Sequence, residues 1–461
     1  MLNRTASGEA LPVTTGGDGL APDIMLETWA LGSEGTPAYL SYTTPGDGSR
    51  QIVWENKISD SSRSGQYALA ADQDHIYFAE QTALRAFAKD DGTTVWETVL
   101  SDKVNANCQT CLRIVKDRLI VLTEDNTLEA FDTNNGRSAW QIRLESQYFS
   151  YPSEGKVAFA VVGDMVGVLD DVDVDGSPGE ALKFYDADTG EPRHQILPVC
   201  PDVDQFFDDD YLSFNSQAFL DETTGELVVL FGTTFVGQMC LQKWDATSGE
   251  MLWETRLPKG ILSYSSTQGG LYTESSFTSF SAYTPEFLLT TLAIEPDSSQ
   301  PSVVKLDLST GEILFQITDA DYDLAPIGEQ NGTILVRAEK QRGSDQIEIW
   351  GIDEATGERT WKHILEAQYL YEVDPFTERY SYRLHPDGLI VLQLLTDLEP
   401  AVLKLQKLDT ATGERLYETK TDMVDADFWS GLTWLPDRAY LVLSSLQEVN
   451  LQTGEVSQSW P

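Results

Sequence analysis

The chain writes one short phrase eight times: an apolar or aromatic residue, usually Asp, two variable residues, usually Thr, then Gly, often Glu, and commonly a large residue four past the glycine. The copies are FAKDDGTTVW (87–96), FDTNNGRSAW (131–140), YDADTGEPRH (185–194), WDATSGEMLW (244–253), LDLSTGEILF (306–315), IDEATGERTW (352–361), LDTATGERLY (408–417) and VNLQTGEVSQ (449–458). Their glycines, Gly92, Gly136, Gly190, Gly249, Gly311, Gly357, Gly413 and Gly454, recur at intervals of 41 to 62 residues, a period that belongs to repeat architectures. Asp accepts backbone N–H bonds across a tight turn and Gly supplies a positive φ without a Cβ penalty. Each phrase therefore reads as a hairpin turn between two strands.

Upstream of each turn lie two short apolar runs with period-two alternation, such as Leu119 to Leu122 and Thr127 to Asp132, separated by turn residues. No segment reads as a long amphipathic helix. Repeats of this length suit a four-stranded blade and are too long for a β-solenoid coil of roughly 20 to 30 residues. The expected fold is all-β, an eight-bladed β-propeller with four-stranded antiparallel blades. Residues 1–36, rich in Gly, Thr, Ser and Pro, read as a flexible tail, and 37–461 as one propeller closed by N- and C-terminal strands. The closing N-terminal strand is 51–58, with 456–460 competing for the same slot. Asn331-Gly332 reads as a hairpin turn.

The phrase D-x-x-T-G-x-x-x-W resembles the repeat of pyrroloquinoline-quinone-type (quinoprotein) propellers over roughly residues 50–461. The resemblance implies that the Trp four past Gly docks between neighbouring blades, a structural role held here by Trp96, Trp140, Trp253 and Trp361, with Phe315 and Tyr417 as aromatic substitutes. His194 and Gln458 depart from it. Quinoprotein dehydrogenases of this resemblance hold the quinone in the central channel with calcium, a catalytic Asp and an adjacent Cys-Cys pair. That pair is absent here, and no Asp base or channel Arg is assignable from sequence, so the quinone is not expected as a cofactor. The repeat layout is also similar to that of non-enzymatic BamB-type outer-membrane assembly lipoproteins, which implies export and a lipid anchor on a flexible tail.

The formal net charge is −43, from 74 acidic against 31 basic residues. Such a surface repels phosphate backbones and anionic headgroups, which excludes nucleic acid as a partner and favours cations or basic protein surfaces. No apolar stretch is long enough for a transmembrane helix. Cys108-Gln109-Thr110-Cys111 reads as a small structural disulfide or as free thiols, and Cys200 with Cys240 as a second candidate pair. If oxidised, they place the chain outside the cytoplasm.

Two acidic clusters are candidate sites. Asp171, Asp173 and Asp175 alternate before Gly176 like the start of a calcium loop, with Glu180 as a further ligand. The second cluster is 202–210. No nucleophile elbow, P-loop, HExxH or Rossmann fingerprint occurs. The sequence thus supports a monomeric, non-catalytic, exported protein-interaction scaffold, with a calcium or ligand sensor and a quinone-dependent dehydrogenase as alternatives.

Overall fold

Period-two apolar runs broken by glycine turns can satisfy their backbone groups only by pairing with neighbours, and in the computed structural model every described strand does so. The structure describes residues 7–11, 25–30, 38–45, 50–59, 67–104, 111–145, 158–174, 177–198, 215–232, 237–262, 270–273, 277–278, 281–284, 286–293, 302–340, 347–365, 380–395, 402–422, 431–434, 438–442 and 446–460. None of these residues is helical.

Seven separate four-stranded sheets and one ten-stranded sheet are present. The ten-stranded sheet contains two further meanders, joined because the long strand Glu250–Leu262 pairs at its end with Phe287–Ala293 (Ile261 opposite Ala293). Nine four-stranded antiparallel meanders therefore follow one another among the described residues. They span 7–59, 67–99, 112–143, 160–196, 215–262, 281–317, 322–364, 380–422 and 431–460.

The described strands form nine meanders where the sequence reading expects eight blades, and two of the strands lie within 1–36, which it reads as a tail. Ser7–Leu11 and Met25–Ala30 are strands of a first meander that also contains Ala38–Pro45 and Arg50–Ser59. They were obscured because they are short and separated by Gly- and Pro-rich sequence. Arg50–Ser59 pairs with Ala38–Pro45, and Val456–Trp460 with Leu446–Asn450, so neither strand crosses to close another blade. Instead, Ser7–Leu11 lies against Gly431–Trp434 and Arg438–Val442, much as Tyr67–Ala71 of the second meander lies against Leu112–Val115 of the third.

The repeated phrase forms one turn each time. In the copy at Asp307, the glycine N–H donates to the Asp carbonyl (2.7 Å), the Asp carboxylate accepts the N–H of Thr310 (3.2 Å), and Thr310 Oγ1 accepts the N–H of Glu312 (3.3 Å). The copies at Asp353, Asp409 and Asn450 repeat the same three bonds, which is why the sequence keeps Asp or Asn, Thr and Gly in step. Asn331-Gly332 is the expected hairpin turn: both residues have positive φ, and Gln330 pairs with Thr333.

These turns receive the docking side chains. A Cβ added at Gly136 would lie within 3 Å of the Trp96 ring, and Trp96 Nε1 donates to Thr133 O (2.8 Å). Trp140 meets Gly190 and donates to Ala187 O (2.9 Å), and Trp361 meets Gly413 and donates to Thr410 O (3.0 Å). Tyr417 meets Gly454 and donates to Leu451 O (2.9 Å), while Trp253 meets Gly311.

Two further residues join the series. His194, read as a departure from the pattern, covers Gly249 and bonds Ala246 O through Nε2 (2.9 Å). Imidazole thus supplies the same flat ring and ring nitrogen as indole. Trp54 of the first meander covers Gly92 and donates to Lys89 O (3.0 Å).

One joint differs. Nothing lies within 4 Å of a Cβ built at Gly357, although Phe315 packs among the apolar residues of that seam. There the buried ammonium of Lys305, 3% exposed, crosses from the sixth meander to Glu329 and Glu354 of the seventh.

Trp54→Ala should lower stability as much as Trp96→Ala, each by about 3–5 kcal/mol in urea unfolding. No loss with Trp54→Ala would detach the first meander from the series. The turn aspartates predict acid sensitivity. Asp186 is pulled to about 2, mainly by its bond from Arg193, and Asp245 and Asp307 are lowered by the hydroxyls of Thr247 and Ser309. Because the folded values lie below the unfolded ones, their contribution is complete above about pH 4 and is lost toward pH 2. The melting temperature should fall across that window, and less steeply in Asp186→Asn.

Candidate functional site

In the second to fifth meanders the first and third hairpin turns emerge on the same side and are tied together: Lys89 N–H donates to Asp74 O, Thr133 to Asp117 O, Ala187 to Asp164 O and Ala246 to Gly225 O, all at 2.8–3.0 Å. That face is therefore lined by turn carboxylates. Those of Asp186, Asp245, Asp307 and Asp353 are held below the usual carboxylate range by the hydrogen bonds they accept, so they carry charge throughout the neutral range.

At the axis, where the first strands of successive meanders converge, side chains reach partners two meanders away. Arg113, on Leu112–Val115 of the third meander, grips Glu222 of the fifth with both guanidinium nitrogens, at 2.5 and 2.6 Å. Nη1 also donates to Phe159 O (3.2 Å), just before the fourth meander, and Glu222 Oε1 accepts the N–H of Val161 (2.7 Å) within it. One bidentate pair thus bolts three consecutive meanders together; Arg113 is 13% exposed and Glu222 25%.

Glu222 belongs to a further copy of the turn phrase, Asp221 to Glu226, that sequence reading missed because it sits in a first hairpin instead of a third. The same bonds identify it: Gly225 N–H to Asp221 O, Thr224 N–H to the Asp221 carboxylate, and Glu226 N–H to Thr224 Oγ1.

Beside this clamp the sheet gains a strand. Gly270–Thr273, from the connection between the fifth and sixth meanders, pairs parallel with Asn215–Leu220, with Ala218 opposite Leu271, and lies against Ala160–Val162 and Met165–Val174. The inner edge of the fifth meander is therefore covered by the chain itself. The longest interval between phrase glycines, 62 residues from Gly249 to Gly311, carries this addition.

The sequence-derived sites fall as follows. Met165–Val174 and Ser177–Asp186 form one long antiparallel hairpin, in which Asp171 is opposite Glu180 and Asp173 opposite Pro178. This differs from the expected loop: residues two apart on a strand are separated by about 6.5 Å instead of curling round one centre. Asp175 and the 202–210 cluster lie outside the described residues. Among the described residues no three His, Cys, Asp or Glu are grouped to hold a metal. Cys111 and Cys240 are both buried and disulfide-bonded, while Cys108 and Cys200 lie outside the described residues. No described helix is long and apolar enough to cross a membrane.

The family described as "Outer membrane protein assembly factor BamB" matches residues 43–198. Among solved structures, BamB from Moraxella catarrhalis is similar at 13% identity and TM-score 0.40, covering 94% of this chain and 95% of that one. Quinohemoprotein alcohol dehydrogenase from Comamonas testosteroni is similar at 14% and 0.41, covering 83% and 70%, and the C-terminal WD40 domain of Sif2 at 12% and 0.45, covering 95% of each. No curated protein matches by sequence.

A quinone in the channel of a PQQ-like propeller needs open polar groups to hold its carboxylates. Here the Arg113 fork is engaged by Glu222, and the neighbouring sheet edge is taken by Gly270–Thr273.

Glu222→Gln should cost about 1–3 kcal/mol in urea unfolding, because it leaves a largely buried guanidinium without its counter-charge. Unchanged stability would show that the three meanders are held without the clamp.

Proposed function

We propose that this chain is a non-catalytic, extracytoplasmic protein-interaction scaffold, a closed ring of nine four-stranded blades that presents an acidic turn face to a basic protein surface. The observation that carries this reading is the axial closure: Arg113 and Glu222 satisfy each other, and Gly270–Thr273 pairs with Asn215–Leu220, where the quinone-dependent alternative needs groups free for a cofactor. Contact of Ser7–Leu11 with the ninth meander supports the closed ring. The disulfide bonding of Cys111 and Cys240 supports an oxidising compartment. The carboxylates held ionised on the turn face support a basic partner, since complementary charge raises association rate and specificity.

Incubation with pyrroloquinoline quinone and calcium should give no dye-coupled oxidation of alcohols or sugars. Calorimetry with calcium alone should give no heat, which sets aside the sensor reading of Asp171, Asp173, Asp175 and Glu180. Capture from envelope extract should retain a basic protein that raised salt releases. Quinone-dependent dye reduction would overturn the reading and establish the dehydrogenase.

A further inference from the structure

An inner edge strand presents a row of unpaired N–H and C=O groups, and an extended segment can satisfy them by adding to the sheet. Among the described residues two first strands carry an addition: Ser281–Tyr283 of the sixth meander pairs antiparallel with the two residues Phe277–Thr278 just before it, whereas Asn215–Leu220 receives Gly270–Thr273 from beyond its own meander, in parallel and across four residue pairs, Gln217 with Gly270 through Leu220 with Thr273. The acceptor is rigid. Ala218, Phe219 and Leu220 are buried, Glu226–Gly232 pairs along the opposite edge, and the Arg113–Glu222 clamp holds the turn at the strand's end. The donor is a short strand in a long connection, paired in the parallel sense that is slightly the weaker of the two.

We propose that the inner edge of Asn215–Leu220 is a strand-addition site for an extended segment of a partner protein, and that Gly270–Thr273 is its built-in occupant. The occupant defines what the edge accepts: an extended Gly-Leu-Tyr-Thr-like stretch running parallel to Asn215–Leu220, with an apolar residue opposite Ala218 and an aromatic one opposite Phe219. The resident strand competes at the high effective concentration of a tethered segment, so a free peptide binds the intact chain weakly and displacement regulates access. This rests on the scaffold reading and names its partner's binding element.

The probe is a labelled peptide of residues 267–275. Leu271→Ser/Tyr272→Ser in the full-length chain should bind it about tenfold or more tightly than the unaltered chain does, because the resident competitor is weakened. A peptide carrying the same two serines should not bind either. Hydrogen exchange on the unaltered chain supplies a readout independent of the variant's folding: amides of 270–273 should exchange much faster than those of 226–232, and excess peptide should slow exchange of 215–220. Equal peptide affinity for a folded variant and the unaltered chain, or protection of 270–273 equal to that of 226–232, would overturn the proposal. If envelope capture still succeeds in that case, the scaffold reading stands and only this site is lost.

Discussion

The structure depends on one joint: a flat side chain from the outermost strand of one meander, laid over the turn glycine of the next and hydrogen-bonded to a carbonyl beside it. The joint needs both halves. A positive φ and the absence of Cβ let the turn accept a ring in direct contact, and the ring's polar edge satisfies a carbonyl that burial would otherwise leave unpaired. Trp54, Trp96, Trp140, His194, Trp361 and Tyr417 each make both contacts. A second residue two positions further on reinforces some joints: Asn56 Nδ2 donates to Gly92 O, and Thr419 Oγ1 to Gly454 O, both at 2.5 Å.

Where the aromatic joint fails, electrostatics takes its place. Phe315 has no polar edge and does not cover Gly357, and it is at this seam that Lys305 is enclosed by two carboxylates from the following meander and lies 4.3 Å from the Phe287 ring centroid. Burial raises Glu329 above the ordinary carboxylate range while Lys305 lowers Glu354. Such an arrangement is tolerable only because one cation is shared between two acids.

The repeat, the strands and most docking residues were legible because local chemistry imposes them: the Asp, Thr and Gly of each phrase bond to one another within six residues. The first meander was not legible, since its third hairpin lacks the phrase spacing. Gly48 stands six residues before Trp54 instead of four. His194 was discounted by residue type although its ring does the indole's work. The axial clamp was beyond sequence reasoning altogether: Arg113 and Glu222 are 109 positions apart, and no local rule connects them. The alternating aspartates at 171–173 resembled a cation loop because strand periodicity and loop-ligand spacing share a step of two.

Every joint points the same way along the polypeptide, from an earlier meander to the one synthesised after it. A chain emerging amino end first therefore always carries a single unsatisfied ring at its growing front, and each newly completed meander hides that ring while exposing its own. Assembly of this kind proceeds as a ratchet, and the series of rings ends at Tyr417 over Gly454, since the last phrase carries Gln458 in the ring position.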